Sequence, residues 1–281
     1  MVREMADTAL PRYKIDAAGE IVPNLRAAAA IIYDPGTNQV LWEENSQSQR
    51  SIASITKVMT ATVFLENNPD LSMPVTVQRS DVFQASTTHL HANDKVTADD
   101  LLHLLLIASD NAAARALARV SPYGSEGFVH RMNEKAAELG LQSTAYADPS
   151  GLLSDNVSSA YDMARLITHA SQDERISSVM RTPEYTVYTA NRRVITFHST
   201  NHLLGRDDVD VRAGKTGFIT KAGYCLATLL KLPQDQGGQQ VAVVVLGARS
   251  NAGRFMESRN LLSWVSSKAS TLFAAKPQEQ Q

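Results

Sequence analysis

The sequence contains a single cysteine, Cys225, so no disulfide can form within the chain. It has no apolar run of the roughly 20 residues that a membrane-spanning helix requires, and its N-terminal segment lacks the apolar core of a secretory signal. Long runs of Lys or Arg are also absent, and the formal net charge is only −2. These absences argue against a disulfide scaffold, a membrane-spanning protein and a binder of nucleic acid or anionic lipid.

The 281 residues, 43% of them hydrophobic, are sufficient for one large domain or two sub-domains with a shared core. Strand patterns such as "AAAAIIYD", "QVLWEEN", "GYCLATLLKL" and "QVAVVVLGA" lie near the two ends, and helical patterns lie between them. We therefore expect an α+β fold, in which an antiparallel sheet from both chain ends is flanked by helices and carries an inserted helical sub-domain over about 54–181. The expected division is an N-terminal extension (1–25), a main domain (26–268) and a tail (269–281).

Local signals place several helix ends. Thr97, followed by Asp100, is typical of a capping box, and Ser125 is the predicted N-cap of a helix that stops at Gly140. The last helix is expected from about Asn251 to Ala275. Cys225 lies in a predicted strand, where a buried structural thiol is expected.

The stretch "RSIASITKVMTATVFLEN" places one lysine, Lys57, in an otherwise apolar helical segment, three residues after Ser54. Residues three apart share a helix face, and a helix N-terminus favours developing negative charge. Because burial disfavours the ammonium form, such a lysine can act as the base that activates the serine hydroxyl. An S-x-x-K pair arises by chance about once in a chain of this length, so a lysine that reaches the surface along a buried stem remains the alternative.

A second motif, Ser109-Asp110-Asn111, lies at the junction of two predicted helices. At a turn, the hydroxyl of Ser109 and the amide of Asn111 can both project into one cleft. The structural alternative is a cap for the helix "NAAARALARV".

A third motif, Lys215-Thr216-Gly217, lies at the end of a predicted strand. Glycine allows a substrate backbone to approach the strand edge, while Lys215 and Thr216 offer a charge and a hydroxyl for an anion. On average composition, Lys-Thr-Gly occurs by chance in fewer than about a tenth of chains of this length.

In this order the three motifs resemble the signature of the penicillin-recognising serine enzymes. Their surroundings, "RSIASITKVMTA", "LLHLLLIASDNAAARALA", "GKTGFITKAGYCLA" and "VVVLGARSNAGRF", closely resemble the low-molecular-mass penicillin-binding proteins of the D-alanyl-D-alanine carboxypeptidase/endopeptidase family. The similarity extends over about Ala27 to Val265. It implies a DD-peptidase/β-lactamase-like fold and a serine-type hydrolase of D-alanyl bonds in peptidoglycan.

The resemblance also implies catalytic roles. Ser54 is the expected nucleophile and forms the acyl-enzyme, and Lys57 is the expected general base. Ser109 is expected to relay a proton to the leaving amine, while Asn111 binds the substrate amide and holds Lys57. Lys215 is expected to keep the local field positive.

On the substrate side, the resemblance implies that Thr216 contacts the substrate carboxylate, beside the close approach allowed by Gly217. The backbone N–H of Phe218 is expected to form the oxyanion hole together with that of Ser54. Arg249, at the end of a strand expected beside the Lys-Thr-Gly strand, is a further candidate for binding a carboxylate. No metal or organic cofactor is implied.

The expected partners are peptidoglycan peptides as substrates and β-lactam antibiotics as acylating inhibitors, without nucleic acid. This substrate implies a periplasmic or other extracytoplasmic location, for a chain given without its signal peptide. Some carboxypeptidases of the family carry a histidine directly after Lys-Thr-Gly and an arginine in the upstream loop. Phe218 and Thr200 occupy these places here, which weakens the expectation of a strict requirement for a free C-terminus.

A β-lactamase is one alternative, but class A enzymes of that kind need a glutamate that activates the deacylating water. The near match "ELGLQ" begins at Glu138, at the end of a predicted helix, where a solvated helix face is the better interpretation. A non-catalytic sensor of β-lactams or muropeptides is a second alternative.

The H-x-H pair His89 and His91 has a spacing that suits a metal, but with no third ligand nearby it is interpreted as a surface loop.

Overall fold

The structure is a computed structural model and describes residues 12–233 and 238–273. The strands, in chain order, are β1 (Tyr13–Ile15), β2 (Ile21–Pro23), β3 (Ala29–Asp34), β4 (Gln39–Glu44), β5 (Arg50–Ser51), β6 (Pro74–Thr76), β7 (Lys95–Thr97), β8 (Val157–Ser158), β9 (Glu184–Tyr188), β10 (Val194–His198), β11 (Asp210–Ile219), β12 (Gly223–Lys231) and β13 (Gln240–Ala248).

The helices are α1 (Thr56–Leu65), α2 (Arg79–Val82), α3 (Ala98–Leu106), α4 (Asn111–Val120), α5 (Gly124–Glu138), α6 (Ala160–Ser171), α7 (Glu174–Met180), α8 (Asn251–Ser267) and α9 (Ala269–Leu272). A 3-10 turn, Ala53–Ile55, leads directly into α1. Within the described ranges no helix is both long enough and apolar enough to cross a membrane.

The central sheet is antiparallel, with the strand order β11-β12-β13-β3-β4. Its strands come from both ends of the chain, which confirms the predicted α+β architecture. Every residue of β13 from Val241 to Leu246 is buried because helices cover both faces of the sheet. Val244 faces the core shared with the helical region, whereas Val243 and Val245 face the core beneath α8.

The segment between the two halves of the sheet is mostly helical, as predicted for 54–181. Helix α1 lies at its centre, in contact with α3, α4, α5 and α6, and all ten of its residues are buried. A helix packed on every side has no face on which a lysine side chain can reach water. This position excludes the alternative in which Lys57 extends to the surface, and the Lys57 side chain is 0% exposed.

Two predicted helix ends need correction. The Thr97–Asp100 capping box is confirmed, but Ser125 lies inside α5 and is not its N-cap. The chain enters α5 through Gly124, whose φ of +62° is a left-handed conformation that glycine adopts without strain. The helix therefore begins at a glycine turn and has no serine N-cap. The final helix was expected to reach Ala275, whereas α8 ends at Ser267 and the short α9 follows; Ala275 itself lies outside the described residues.

The segment ahead of the sheet packs against α8. Trp264 donates its indole N–H to the carbonyl of Ile21 at 2.8 Å, and the Glu257 carboxylate accepts the backbone N–H groups of Arg26 and Ala27 at 2.8 and 3.0 Å. These bonds join the start of the main domain to its last helix and hold the outer layer over the sheet.

Candidate active site

Ser54 lies in the 3-10 turn before α1, and Lys57 lies in the first turn of that helix. Lys57 Nζ is hydrogen-bonded to Ser54 Oγ at 3.0 Å, which confirms that the i, i+3 spacing brings the two side chains together. Burial lowers the pKa of Lys57 to about 7, although the negative charges of Asp110 and Asp148 oppose the shift. A substantial fraction of the lysine is therefore free amine near neutrality, and a free amine can accept the hydroxyl proton of Ser54.

Two further acceptors fix the Lys57 head group. Its Nζ donates to Asn111 Oδ1 at 2.6 Å and to the backbone carbonyl of Ser150. The Ser150 turn is held against the nucleophile because Gly151 has a φ of +79°, and a Cβ on Gly151 would lie 2.2 Å from the Ala53 carbonyl oxygen. Only glycine fits this contact.

The turn between α3 and α4 places Ser109 against Lys215 and Asn111 against Lys57. Ser109 has a φ of +61°, a left-handed conformation that costs a non-glycine residue about 1–3 kcal/mol. Asp110, which is fully buried, caps α4 by accepting the Ala113 N–H at 3.0 Å. Asn111 donates its side-chain N–H to the Ala85 carbonyl at 2.7 Å, which orients its oxygen toward Lys57. The same turn therefore caps α4 through Asp110 and supplies Ser109 and Asn111 to the two buried lysines.

Lys215, on edge strand β11, reaches the second serine. Its Nζ donates to Ser109 Oγ at 2.8 Å and to the Thr216 carbonyl at 3.0 Å, and its side chain is 1% exposed. Burial, followed by the positive charges of Lys57 and Arg254, holds the pKa of Lys215 well below its usual range. Two lysines buried this close together do not both carry a proton without mutual repulsion.

Gly217 brings β11 against the nucleophile turn. A Cβ at Gly217 would lie 2.7 Å from the Ile52 carbonyl oxygen and 3.1 Å from the Ser54 backbone nitrogen. The buried Arg254 of α8 supports this strand from behind by donating to the carbonyls of Gly217 and Cys225 at 3.0 and 3.2 Å. Cys225 is buried, as predicted, and burial raises the pKa of its thiol to about 11, which makes it unreactive.

The cleft beyond Gly217 combines hydroxyls and an aromatic ring. Thr216 Oγ1 is hydrogen-bonded to Thr200 Oγ1 at 2.6 Å, just beyond the buried lysines. Phe218 is 49% exposed and stacks on Tyr224 with the ring centroids 4.3 Å apart. An exposed aromatic ring held in place by another offers an apolar contact to a bound molecule.

Arg249 is not placed with these residues. It follows β13, and β12 separates β13 from β11, so the expectation that its strand lies beside the Lys-Thr-Gly strand is wrong. Its side chain is exposed and lines a small surface pocket with Arg26, Ser250 and Glu257.

Glu138 lies at the solvated end of α5, as predicted. Its carboxylate is half exposed and pairs with Arg131 and Lys135 at 2.6 and 2.8 Å. The hydrogen bond from Arg131, followed by that from Lys135, lowers the pKa of Glu138 to about 2. A carboxylate in this environment is a poor base.

Sequence reasoning missed two contributors. The Ser150 carbonyl carries no side-chain signal, and its surroundings, "DPSG", are typical of a tight structural turn. Arg254 lies five residues after Arg249, and it reaches the Lys-Thr-Gly strand through the packing of α8 on the sheet, which no local pattern predicts. By contrast, the structure places the five predicted catalytic residues in two hydrogen-bonded groups, which meet at the turn that carries Ser109 and Asn111: Ser54, Lys57 and Asn111 form one, and Ser109 and Lys215 form the other.

Comparison with known proteins agrees with this arrangement. The family described as D-alanyl-D-alanine carboxypeptidase, peptidase S11, matches residues 16–250. The D-alanyl-D-alanine endopeptidase of Pseudomonas aeruginosa is 33% identical over 244 residues, covering 86% of this chain and 77% of the relative. The Escherichia coli protein of the same name is 32% identical over 246 residues, covering 86% and 78%.

Solved structures show the same similarity. The Streptomyces K15 DD-transpeptidase superposes with a TM-score of 0.79 at 29% identity, covering 86% of this chain and 97% of that one. The D-alanyl-D-alanine carboxypeptidase of Mycobacterium tuberculosis gives a TM-score of 0.79 at 26% identity, covering 93% and 96%. With the serine–lysine cluster in place and the family match covering most of its length, the chain belongs to the D-alanyl-D-alanine carboxypeptidase family of serine peptidases.

Proposed function

We propose that the protein is a serine-type DD-peptidase that hydrolyses D-alanyl peptide bonds in peptidoglycan through an acyl-enzyme on Ser54, and that its preferred substrates are peptide cross-links. The observation that carries the proposal is the buried cluster in which Lys57 Nζ lies 3.0 Å from Ser54 Oγ while Lys215 holds Ser109. A nucleophile, a base and a second hydroxyl within one cleft are the groups that acyl transfer requires.

In the proposed first step, free Lys57 takes the hydroxyl proton as Ser54 Oγ attacks the D-alanyl carbonyl carbon. The tetrahedral oxyanion is stabilised by the backbone N–H groups of Ser54 and Phe218, which belong to two segments that Gly217 allows to approach closely. Asn111 holds the lysine in line with Ser54 throughout, because its own amide is anchored on the Ala85 carbonyl.

In the second step, the C–N bond breaks and the leaving amine needs a proton. Ser109 is the relay for it: its hydroxyl, held by Lys215 Nζ at 2.8 Å, gives its proton to the amine and regains the proton that Lys57 took from Ser54. Lys57 thereby becomes the free amine again. A substrate carboxylate near Thr216 favours the positive charge on Lys215, and repulsion then leaves Lys57 neutral. In the last step Lys57 takes a proton from the water that attacks the acyl carbon, and this proton passes to Ser54 Oγ as the acyl–oxygen bond breaks.

The preference for cross-links is supported by the groups beside Thr216. Thr200 offers only a hydroxyl, and Phe218 offers an apolar face stacked on Tyr224. An extended peptide on the leaving-group side has apolar atoms that can cover such a ring, whereas a lone terminal carboxylate does not. Two relatives of 32–33% identity carry the name D-alanyl-D-alanine endopeptidase, which also supports this choice.

The same chemistry makes β-lactam antibiotics acylating inhibitors, because their strained amide presents a carbonyl to Ser54. With Glu138 outside the cleft and paired to Arg131 and Lys135, slow deacylation of the penicilloyl-enzyme is expected. A peptidoglycan substrate places the protein outside the cytoplasm, in the periplasm or at the outer cell surface.

The experiment compares two purified substrates at equal concentration: a cross-linked muropeptide dimer and a monomer that ends in a free D-Ala-D-Ala. Faster cleavage of the dimer, absent in Ser54→Ala, supports an endopeptidase. Faster release of D-alanine from the monomer would identify a carboxypeptidase instead. Binding of benzylpenicillin without cleavage of either substrate would indicate a sensor, and rapid consumption of the drug would indicate a β-lactamase.

A further inference from the structure

The loop that follows α2 packs against the Ser109–Asn111 turn and carries a histidine that the chemistry above does not use. The backbone N–H of His89 donates to Asp110 Oδ2 at 2.6 Å, and His89 Nδ1 lies 3.5 Å from the same oxygen. Although the imidazole is partly exposed, Nδ1 itself is buried and makes no hydrogen bond to any part of the chain that the structure describes. A buried ring nitrogen facing a fully buried carboxylate is poised to form an ion pair when it gains a proton.

Asp110 is the link between this histidine and the active site. It separates Ser109 from Asn111 in the chain, and its other oxygen caps α4 through the Ala113 N–H. Its negative charge is also the strongest of the influences that raise the pKa of Lys57 against the effect of burial. Whatever neutralises Asp110 therefore lowers the proton affinity of Lys57.

The surroundings of His89 contain few other charges. On the strand side, its ring packs against Phe197 of β10 with the centroids 5.7 Å apart, and the His89 carbonyl accepts a hydrogen bond from Arg193 at 3.0 Å. The Arg193 guanidinium is itself paired with the buried Asp94. The positive charge of Arg193 is therefore balanced by Asp94. The carboxylate that the His89 imidazole faces is Asp110.

We propose that His89 is a positioning residue that acts through Asp110: as the pH falls, protonated His89 pairs with Asp110 and keeps Lys57 competent as a base under mildly acidic conditions. The direction follows from the charges. A protonated imidazole cancels the field of Asp110 at Lys57, so the ammonium form is stabilised less and the free amine persists to lower pH. Asp110 couples the two groups, because it is the carboxylate that the His89 ring faces and the strongest negative charge acting on Lys57.

The proposal rests on the proposed acylation of Ser54, and the rate of acylation by benzylpenicillin between pH 5 and 9 tests it. Intact-protein mass gives this rate for the wild type and for His89→Gln, His89→Arg and His91→Gln. His91 lies two residues away on the same loop, with an exposed side chain, and serves as the matched control.

The expected result is a change in the shape of the profile. Relative to its own rate at pH 8, His89→Gln should retain about 3-fold less activity than the wild type at pH 6, as for a shift of roughly half a pH unit. His89→Arg, with a permanent charge, should retain at least as much as the wild type, and His91→Gln should follow the wild type. A histidine with only a packing role would change the rate by the same factor at every pH, and such parallel profiles would overturn the proposal.

A second measurement separates this proposal from the proposed function. If the wild type is not acylated even at pH 8, the proposed function fails, and the His89–Asp110 pair is then tested by NMR titration of the His89 ring in the wild type and in Asp110→Asn. A midpoint that moves to lower pH in Asp110→Asn supports the pair. Identical midpoints refute it, whatever the enzyme hydrolyses.

Discussion

Lys57 Nζ lies 2.6 Å from Asn111 Oδ1, although 54 positions separate the two residues in the chain. This bond connects α1 to α4 at the base of the cleft, and the acceptor is an amide rather than a carboxylate. A neutral acceptor stabilises the ammonium form of Lys57 less than a carboxylate would, so burial remains the largest influence on the pKa of Lys57.

Asn111→Asp is therefore expected to inactivate the protein near neutrality while keeping its shape. A carboxylate in contact with Lys57 raises the pKa of the lysine, typically by 1–3 units for such a pair, and leaves it protonated at pH 7. Acylation by benzylpenicillin at pH 7 should fall by at least about 10-fold, with partial recovery above pH 9. A variant with the wild-type rate at pH 7 would show that Lys57 is not the base.

The wild-type pH profile gives an independent test of Lys57. Because only the free amine can accept the Ser54 proton and the pKa of Lys57 is about 7, the acylation rate should be highest above this pH and decline as the pH falls below it. For one titrating group the decline approaches 10-fold per pH unit, and coupling to His89 makes it shallower. A constant rate from pH 8 down to pH 5.5 would contradict the assignment.

Ser54→Ala should abolish the covalent adduct with benzylpenicillin and leave the thermal unfolding midpoint within a few degrees of the wild type. The hydroxyl is only partly buried, so its loss costs little packing. The control is Ser48→Ala, an exposed serine six residues earlier, which should be labelled at the wild-type rate. An adduct on the Ser54→Ala protein would move the nucleophile elsewhere.

Much of this site could be predicted because its determinants are local. The spacing of Ser54 and Lys57 fixes their proximity as soon as a helix forms, and the prediction needs nothing beyond helix geometry. The sheet was predicted from strand patterns at both ends of the chain, and the short links after β11 and β12 favour antiparallel pairs. The start of α5 was not predicted, because a glycine turn at Gly124 replaced the expected cap by Ser125.

Features that depend on long-range packing could not be predicted. Arg249 is kept from β11 because β12 lies between β11 and β13, and Arg254 reaches β11 because α8 packs on the sheet. The spacing of residues along the chain predicts neither strand order nor helix packing. The Ser150 carbonyl and the His89–Asp110 contact likewise join segments that are 93 and 21 residues apart. The catalytic side chains could be named from the sequence, but their protonation states depend on burial and on contacts between distant segments.

The close approach of β11 to the nucleophile turn predicts that Gly217→Ala will be far more damaging than its size implies. The new methyl group would lie 2.7 Å from the Ile52 carbonyl oxygen and 3.2 Å from the Ile55 backbone nitrogen, and backbone atoms cannot rotate away. Strand β11 must therefore shift outward, which moves Lys215 away from Ser109 and separates the two proposed oxyanion donors. We expect acylation to fall by about 10-fold or more, with a stability loss of about 1–3 kcal/mol.

Gly127→Ala supplies the matched control for this substitution. A Cβ at Gly127, inside α5, would have its nearest neighbour at 3.6 Å, an ordinary contact with Tyr123. Alanine is also favoured over glycine in a helix by up to about 1 kcal/mol, so this variant should be as stable as the wild type or more so, with unchanged acylation. If Gly217→Ala behaves in the same way, the cleft tolerates a wider separation of β11 from Ser54, and the backbone N–H of Phe218 is then not part of the oxyanion hole.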